Sequence, residues 1–237
     1  VVLLDVGETL IGPMESFGAI YARVLAGLGM EIPVESLERS LRQTWDEFDR
    51  EIPPGKDRYR HFAGGEDGFW LRYAGRAIAR AADRPVRDGI VARALPQLRA
   101  AFFRPAAWRV YGDVRPALDA LRAAGVRLGV VSNWDSRLPR LLRMLELDSY
   151  FEAVAVSHAE GVEKPDPALF RVALGRLGVD AADAFYVGDR PHPDLEGARA
   201  AGIDAALVDR RGKLDRSLPT IPDLSPLPGI AKQGTFS

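Results

Sequence analysis

Two hydrophobic rhythms divide the chain. Residues 1–4 are continuously apolar, half of them β-branched, and the run breaks at Asp5. A short apolar run ended by a turn residue reads as a strand buried on both faces, in the middle of a parallel sheet. After Leu10 comes the turn Gly12-Pro13, and the rhythm becomes helical. Phe17, Ile20, Tyr21, Val24, Leu25 and Leu28 recur at helix spacing, and Gly29 stops them. Leu37, Leu41, Trp45 and Phe48 make a second stripe, broken by Pro53-Pro54-Gly55. Phe69, Trp70, Tyr73, Ile78 and Ala81 make a third, and residues 85–103 hold a fourth with Ile90, Leu95, Leu98 and Phe102 on one face. From Met14 to about Arg104 there is no convincing strand, so this block is expected to be all-helical, with its aromatic stripes as its own core.

Beyond it, strand and helix alternate. Helices are expected over 113–124, 135–147, 167–177 and 195–201. Strands are expected over 126–131 ending at Ser132, 151–156, 184–187 ending at Gly188-Asp189, and 203–208. Such alternation with short turns predicts an α/β fold: a Rossmann-like, doubly wound parallel sheet with an inserted all-helical domain. The expected boundaries are 1–12 with 106–237 for the sheet domain and 13–105 for the helical one. The Pro-rich tail from Leu214 is expected to run irregularly along the surface.

Composition narrows the chemistry. The 237 residues carry a formal net charge of -1, which gives no electrostatic case for nucleic acid or anionic membrane as a partner. There is no Cys, so disulfides, thiol chemistry and Cys-ligated metals are excluded. No apolar run approaches the ~20 residues of a membrane span. No signal peptide is visible, so a cytoplasmic protein is expected. Lys56, Lys164, Lys213 and Lys232 are the only lysines against a background of Arg. Where a Lys survives that bias, a compact ammonium is expected to be required.

Four chemical groups fall at or beyond predicted strand ends: Asp5, Ser132, Lys164 and Asp189. In an open α/β sheet, loops at that edge converge on one crevice. A carboxylate there can attack phosphorus, while a hydroxyl and an ammonium hold the phosphoryl oxygens as charge develops. Asp189, with Asp194, can hold Mg²⁺ beside the nucleophile.

In these motifs the chain resembles the haloacid dehalogenase superfamily, with a helical cap inserted after the first strand. Asp5-Val6-Gly7-Glu8-Thr9-Leu10 is similar to the family's nucleophile loop, and Val130-Val131-Ser132-Asn133 to its phosphate-binding segment. Lys164-Pro165-Asp166-Pro167 is similar to its Lys-Pro turn, and Val187-Gly188-Asp189 with Asp194 to its acidic metal loop. Gly197-Ala198 and Ala201-Gly202 match the helix that follows. The motifs occur in family order, and the likeness spans residues 1–208. The resemblance implies a Mg²⁺-dependent, phosphatase-type hydrolase that acts on a small phosphorylated metabolite through an aspartyl phosphate on Asp5. It implies Asp5, Ser132 and Lys164 as catalytic residues, and Ser132, Asn133 and Lys164 as substrate-binding. The metal would be held by Asp5, the Gly7 carbonyl, Asp189 and Asp194. Substrate choice would lie with the cap, and the sequence specifies neither the substrate nor the oligomeric state.

One position departs from the pattern. Most phosphatases of the family carry a second Asp, the general acid and base, where this chain has Gly7. General acid–base help is worth about 10²–10⁴-fold, so ester hydrolysis is expected to suffer unless Glu8 or His192 stands in. The alternative is a non-catalytic, phosphate-ligand-binding or regulatory protein that kept the pocket. The dehalogenase branch places an aromatic residue at this position and uses no metal, so Gly7 and Asp189 disfavour it. The phosphonate-cleaving branch needs a cap Lys, and Lys56 reads as an exposed turn residue. Trp134 reads as lining the pocket or cap hinge or, more often for such a residue, as packing; Asp166 reads as a helix cap and Asp135 as an N-cap or first-turn residue.

Overall fold

A computed structural model describes residues 1–83, 85–86 and 89–232. Two compact units are present: Val1–Gly12 with Val110–Ser237, and Pro13–Arg109. In chain order the strands are β1 (Val2–Leu4), β2 (Ile11–Pro13), β3 (Trp108–Val110), β4 (Leu128–Ser132), β5 (Ala153–Val156), β6 (Phe185–Gly188), β7 (Asp204–Val208) and β8 (Thr220–Ile221). Six of them form one sheet in the order β5-β4-β1-β6-β7-β8, while β2 and β3 pair as a separate ribbon.

The first apolar run becomes the central strand for the reason its composition gives. Leu3 and Leu4 are fully buried, and each contributes ~1.5–3 kcal/mol by leaving water. β1 pairs in parallel with β4 on one side and β6 on the other, so that Leu4 lies opposite both Val130 and Val187. From β1 the sheet grows outward through β4 and β5, then returns to grow the other way through β6, β7 and β8. That reversal is a topological switch point, and the crevice it opens lies at the C-terminal ends of β1, β4 and β6. Gly129 lets the layers close: a Cβ there would come within 2.7 Å of Leu3 and 3.2 Å of Leu177. One face of the sheet is covered by the helix Pro167–Leu177, through Leu169, Phe170, Ala173 and Leu174.

The helical unit is built from Phe17–Gly27, Val34–Glu51, Gly65–Ala82 and Ile90–Phe102, with a short turn of helix at Arg58–His61. Its aromatic stripes are its core. Phe48 and Phe69 are fully buried, 5.5 Å apart and edge to face, with Trp45 and Tyr73 against them. The Tyr73 hydroxyl donates to the Leu41 carbonyl at 3.0 Å, which satisfies its one polar group. The fourth helix begins at Ile90, later than expected. Pro85 and Val86 are non-helical, and Arg87 and Asp88 of the predicted span lie outside the described residues.

Two elements differ from expectation. The tail is not irregular: Thr220–Ile221 adds a parallel edge strand and Leu227–Lys232 forms a helix. Its last predicted residues, 233–237, lie outside the described residues. The helix expected from Leu195 is preceded by a π-helical turn, Pro191–Glu196, and only Gly197–Ala200 is α-helical. Among the described residues, no helix is long and apolar enough to cross a membrane.

Candidate active site

The switch point brings four loops together. Asp5 follows β1, its N–H donating to Val187 O at 2.9 Å across the sheet. Ser132 closes β4, and Asp189 follows β6. Lys164 comes from the loop after the short helix Ser157–Glu160, and Asn133 fixes it there. The Asn133 side chain accepts from Lys164 N–H at 2.7 Å and donates to Lys164 C=O at 2.9 Å. Both ends of the amide serve the lysine loop, so Asn133 holds the site's framework.

Lys164 Nζ sits at the centre, 2.8 Å from Asp5 Oδ1, 2.6 Å from Asp194 Oδ1 and 2.8 Å from the Tyr186 hydroxyl. Three partners match the three donors of an ammonium. The Tyr186 hydroxyl donates in turn to Asp194 Oδ1 at 2.7 Å. The second oxygen of Asp194 accepts from the backbone N–H groups of Asp189 at 3.0 Å and Arg190 at 2.9 Å. A carboxylate offers about four lone-pair directions, and all of Asp194's are taken. Asp194 thus anchors the lysine and the acidic loop, and it stands with Asp5 and Asp189 in the group of carboxylates expected to bind metal, directly or through water. Gly188 makes the fold-back possible, since a Cβ there would lie 2.3 Å from the Asp194 carboxyl carbon. The π-helical turn is the backbone's accommodation of that inward carboxylate.

The charges do not balance. One ammonium faces three carboxylates, Asp5, Asp189 and Asp194, whose ligand atoms lie within 4.8 Å of one another. Burial would raise Asp194, but Lys164, Tyr186 and the Arg190 N–H outweigh it and hold the carboxyl below the usual range. Burial would lower Lys164, and Asp194 with Asp5 outweighs it, so the ammonium is held charged. Burial pushes the Asp5 carboxyl up, reinforced by Asp194 and incompletely offset by Lys164 and the Ser132 hydrogen bond. Asp189 is pushed up to about 8, by burial first and then by Asp5 and Asp194. Excess negative charge on oxygen donors at a partly open position is what a hard divalent cation relieves. Asp5 and Asp189 suit Mg²⁺ in number and type.

Gly7 and its neighbours complete the nucleophile loop. Gly7 bridges to Ile11, and the hydrogen bonds of that bridge use the carbonyls of Ile11 and Val6 rather than its own. Glu8 has a left-handed backbone, with φ at 55°. Its carboxylate accepts from the Tyr111 hydroxyl at 3.0 Å and from Arg211 at 3.1 Å. The His192 ring is exposed and pairs with Glu196 at 2.8 Å. Neither stand-in acid is directed at Asp5. Asp166 caps its helix by accepting from Ala168 N–H at 2.8 Å, as expected. Asp135 lies three residues before the helix that starts at Leu138: it is buried, its carboxylate accepts from Arg137 N–H at 3.0 Å, and it is ion-paired with the Arg137 guanidinium. Sequence reasoning missed Tyr186, a polar tip inside an apolar strand, and the only signal was a Tyr three residues before Asp189.

Similar proteins share this arrangement of the chain. The haloacid dehalogenase-like hydrolase family matches residues 1–202. A human haloacid dehalogenase-like hydrolase domain-containing protein 3 is 32% identical over 96% of this chain and 89% of its own. A glyceraldehyde 3-phosphate phosphatase of Methanopyrus kandleri is 33% identical over 90% of this chain and 84% of its own. Among solved structures, a magnesium-bound HAD-hydrolase of Bacillus subtilis superposes with a TM-score of 0.76, covering 97% of each chain at 17% identity, a likeness of fold. With the family match running through all four strand-end loops, the chain belongs to the haloacid dehalogenase-like hydrolases.

Proposed function

We propose that the chain is a Mg²⁺-dependent phosphatase of a small phosphorylated metabolite, with Asp5 as nucleophile and the helical unit as the family's cap domain. The observation that carries the reading is the buried cluster in which Lys164 joins Asp5 to Asp194 while Asp189 stands alongside. An Asp5 oxygen attacks phosphorus, and the phosphorus–oxygen bond to the leaving group breaks with its electron pair on the departing oxygen. Water then attacks the aspartyl phosphate at phosphorus, freeing inorganic phosphate and the Asp5 carboxylate. Ser132 and Lys164 bind the phosphoryl oxygens, and Lys164 offsets charge that would repel the substrate. Asp5, Asp189, the Gly7 carbonyl and, directly or through water, Asp194 would hold Mg²⁺, which would screen carboxylate from phosphate. A second reading, ligand binding without turnover, draws on the bare Gly7 and on the absence of a directed acid.

Phosphate release from a panel of alkyl, aryl and acyl phosphates, with and without Mg²⁺, tests both. The expected result is release that requires Mg²⁺ and falls more than about a thousandfold in Asp5→Asn. Undiminished release by Asp5→Asn would contradict the nucleophile. Phosphate binding without any release would favour the second reading.

A further inference from the structure

Trp134 stands where residue 7 has no side chain. Residues two apart on an extended segment point the same way, so a side chain at position 7 would share the side of Asp5. A Cβ built on Gly7 would meet one atom group at close range, the Trp134 ring, at 3.3 Å. The ring is carried on a fixed backbone. Trp134 N–H donates to Ser157 Oγ at 3.2 Å, and Trp134 C=O accepts from Ser157 Oγ at 3.3 Å and from His158 N–H at 3.3 Å. The preceding residue, Asn133, is clamped to the Lys164 backbone. Trp134 as a residue is only partly buried.

We propose that Trp134 is a specificity-determining residue, forming with Gly7 an apolar wall beside Asp5 against which the ring of an aryl phosphate packs. The inference rests on Asp5 attacking phosphorus and names the substrate class of that site. It follows from shape and from chemistry together. The indole packs directly over the bare Gly7, so a flat ring, and not an acid at position 7, flanks Asp5. The loop holds no directed acid, since Glu8 is engaged by Tyr111 and Arg211 and His192 by Glu196. A leaving group must therefore depart as a stable anion. A phenolate does: the phosphorus–oxygen bond breaks, the pair stays on the phenolic oxygen, and that oxygen takes its proton from water. An alkoxide from an unactivated alcohol does not leave readily without help.

Two measurements decide the proposal. In turnover, native protein should favour phenyl phosphate over glycerol 2-phosphate in kcat/KM. The ratio should fall about three- to tenfold in Trp134→Leu, the worth of one aromatic contact, and recover in Trp134→Phe. In binding, calorimetry compares phenylphosphonate with methylphosphonate, neither of which has a bond that this site would cleave. Native protein should prefer the phenyl compound, and Trp134→Leu should lose that preference by the same factor. A native protein without turnover would defeat the reading of Asp5 and leave the calorimetry to judge Trp134. An unchanged phenyl-to-methyl preference in Trp134→Leu would overturn the proposal, as would a native protein with no preference.

Discussion

Lys164 is the residue on which the site's electrostatics turn. Its three donors are used by two carboxylates and a phenol in a fully enclosed niche. An Arg at this place brings a planar fork where a tetrahedral point charge is needed. Lys164→Arg should lose about 10²–10³-fold in turnover, the worth of one well-placed donor. It should also lower the unfolding midpoint in urea, because the larger guanidinium overpacks a buried niche at a cost of ~1–3 kcal/mol. Near-native turnover would remove the requirement for an ammonium. At this scale the sequence was informative where a residue type was rare. One of only four lysines, set against abundant Arg, marked a position that lies in the strand-end cluster with Asp5 and Asp194. It was uninformative where a partner was remote. The clamp between Asn133 and Lys164 was invisible because its two residues lie 31 positions apart on different loops. Tyr186 was hidden because its ring packs edge-on against Phe170 like any core aromatic, and only the hydroxyl reaches the site.

The nucleophile loop needs outside support. Glu8 is a non-glycine residue in the left-handed region, a state that costs ~1–2 kcal/mol. In an extended strand successive carbonyls alternate, whereas here those of Glu8 and Thr9 converge on one guanidinium. Arg210 donates to them at 3.2 and 2.7 Å, respectively, and pairs in two-pronged fashion with Asp113 at 2.9 and 3.0 Å. Its carbon centre lies 3.9 Å above the Tyr111 ring. Asp113 also accepts from Leu224 N–H at 2.8 Å, so the tail is tied into the same network. Arg210→Ala should destabilise the protein by about 1–3 kcal/mol, the usual cost of stranding buried polar partners. Amide exchange in residues 8–11 should rise with it, and unchanged exchange there would sink the idea. None of this was legible beforehand. The tail is Pro-rich, and β8 is a two-residue edge strand too short to show alternation. The π-helical turn was equally hidden, because its cause is the inward carboxylate of Asp194 rather than any local pattern. The long amphipathic helices, in contrast, carried enough periodic residues to be read directly.

For the whole molecule, the organising fact is that β1 lies in the middle of the main sheet, which grows outward from it both ways. Alternation of strand and helix predicts a parallel sheet but not this strand order, which depends on pairings between strands far apart in sequence. The division at Gly12 and Arg109 sets a helical unit with its own aromatic core into the loop after β1. The central claim concerns the one carboxylate that the middle strand delivers. Quenching the protein in acid during turnover of an aryl phosphate, reducing with borohydride and mapping by mass spectrometry tests it directly. An aspartyl phosphate is reduced to homoserine, so the account predicts homoserine at position 5 and nowhere else, and none without substrate or in Asp5→Asn. Turnover with an unmodified Asp5, or homoserine at another Asp, would contradict it.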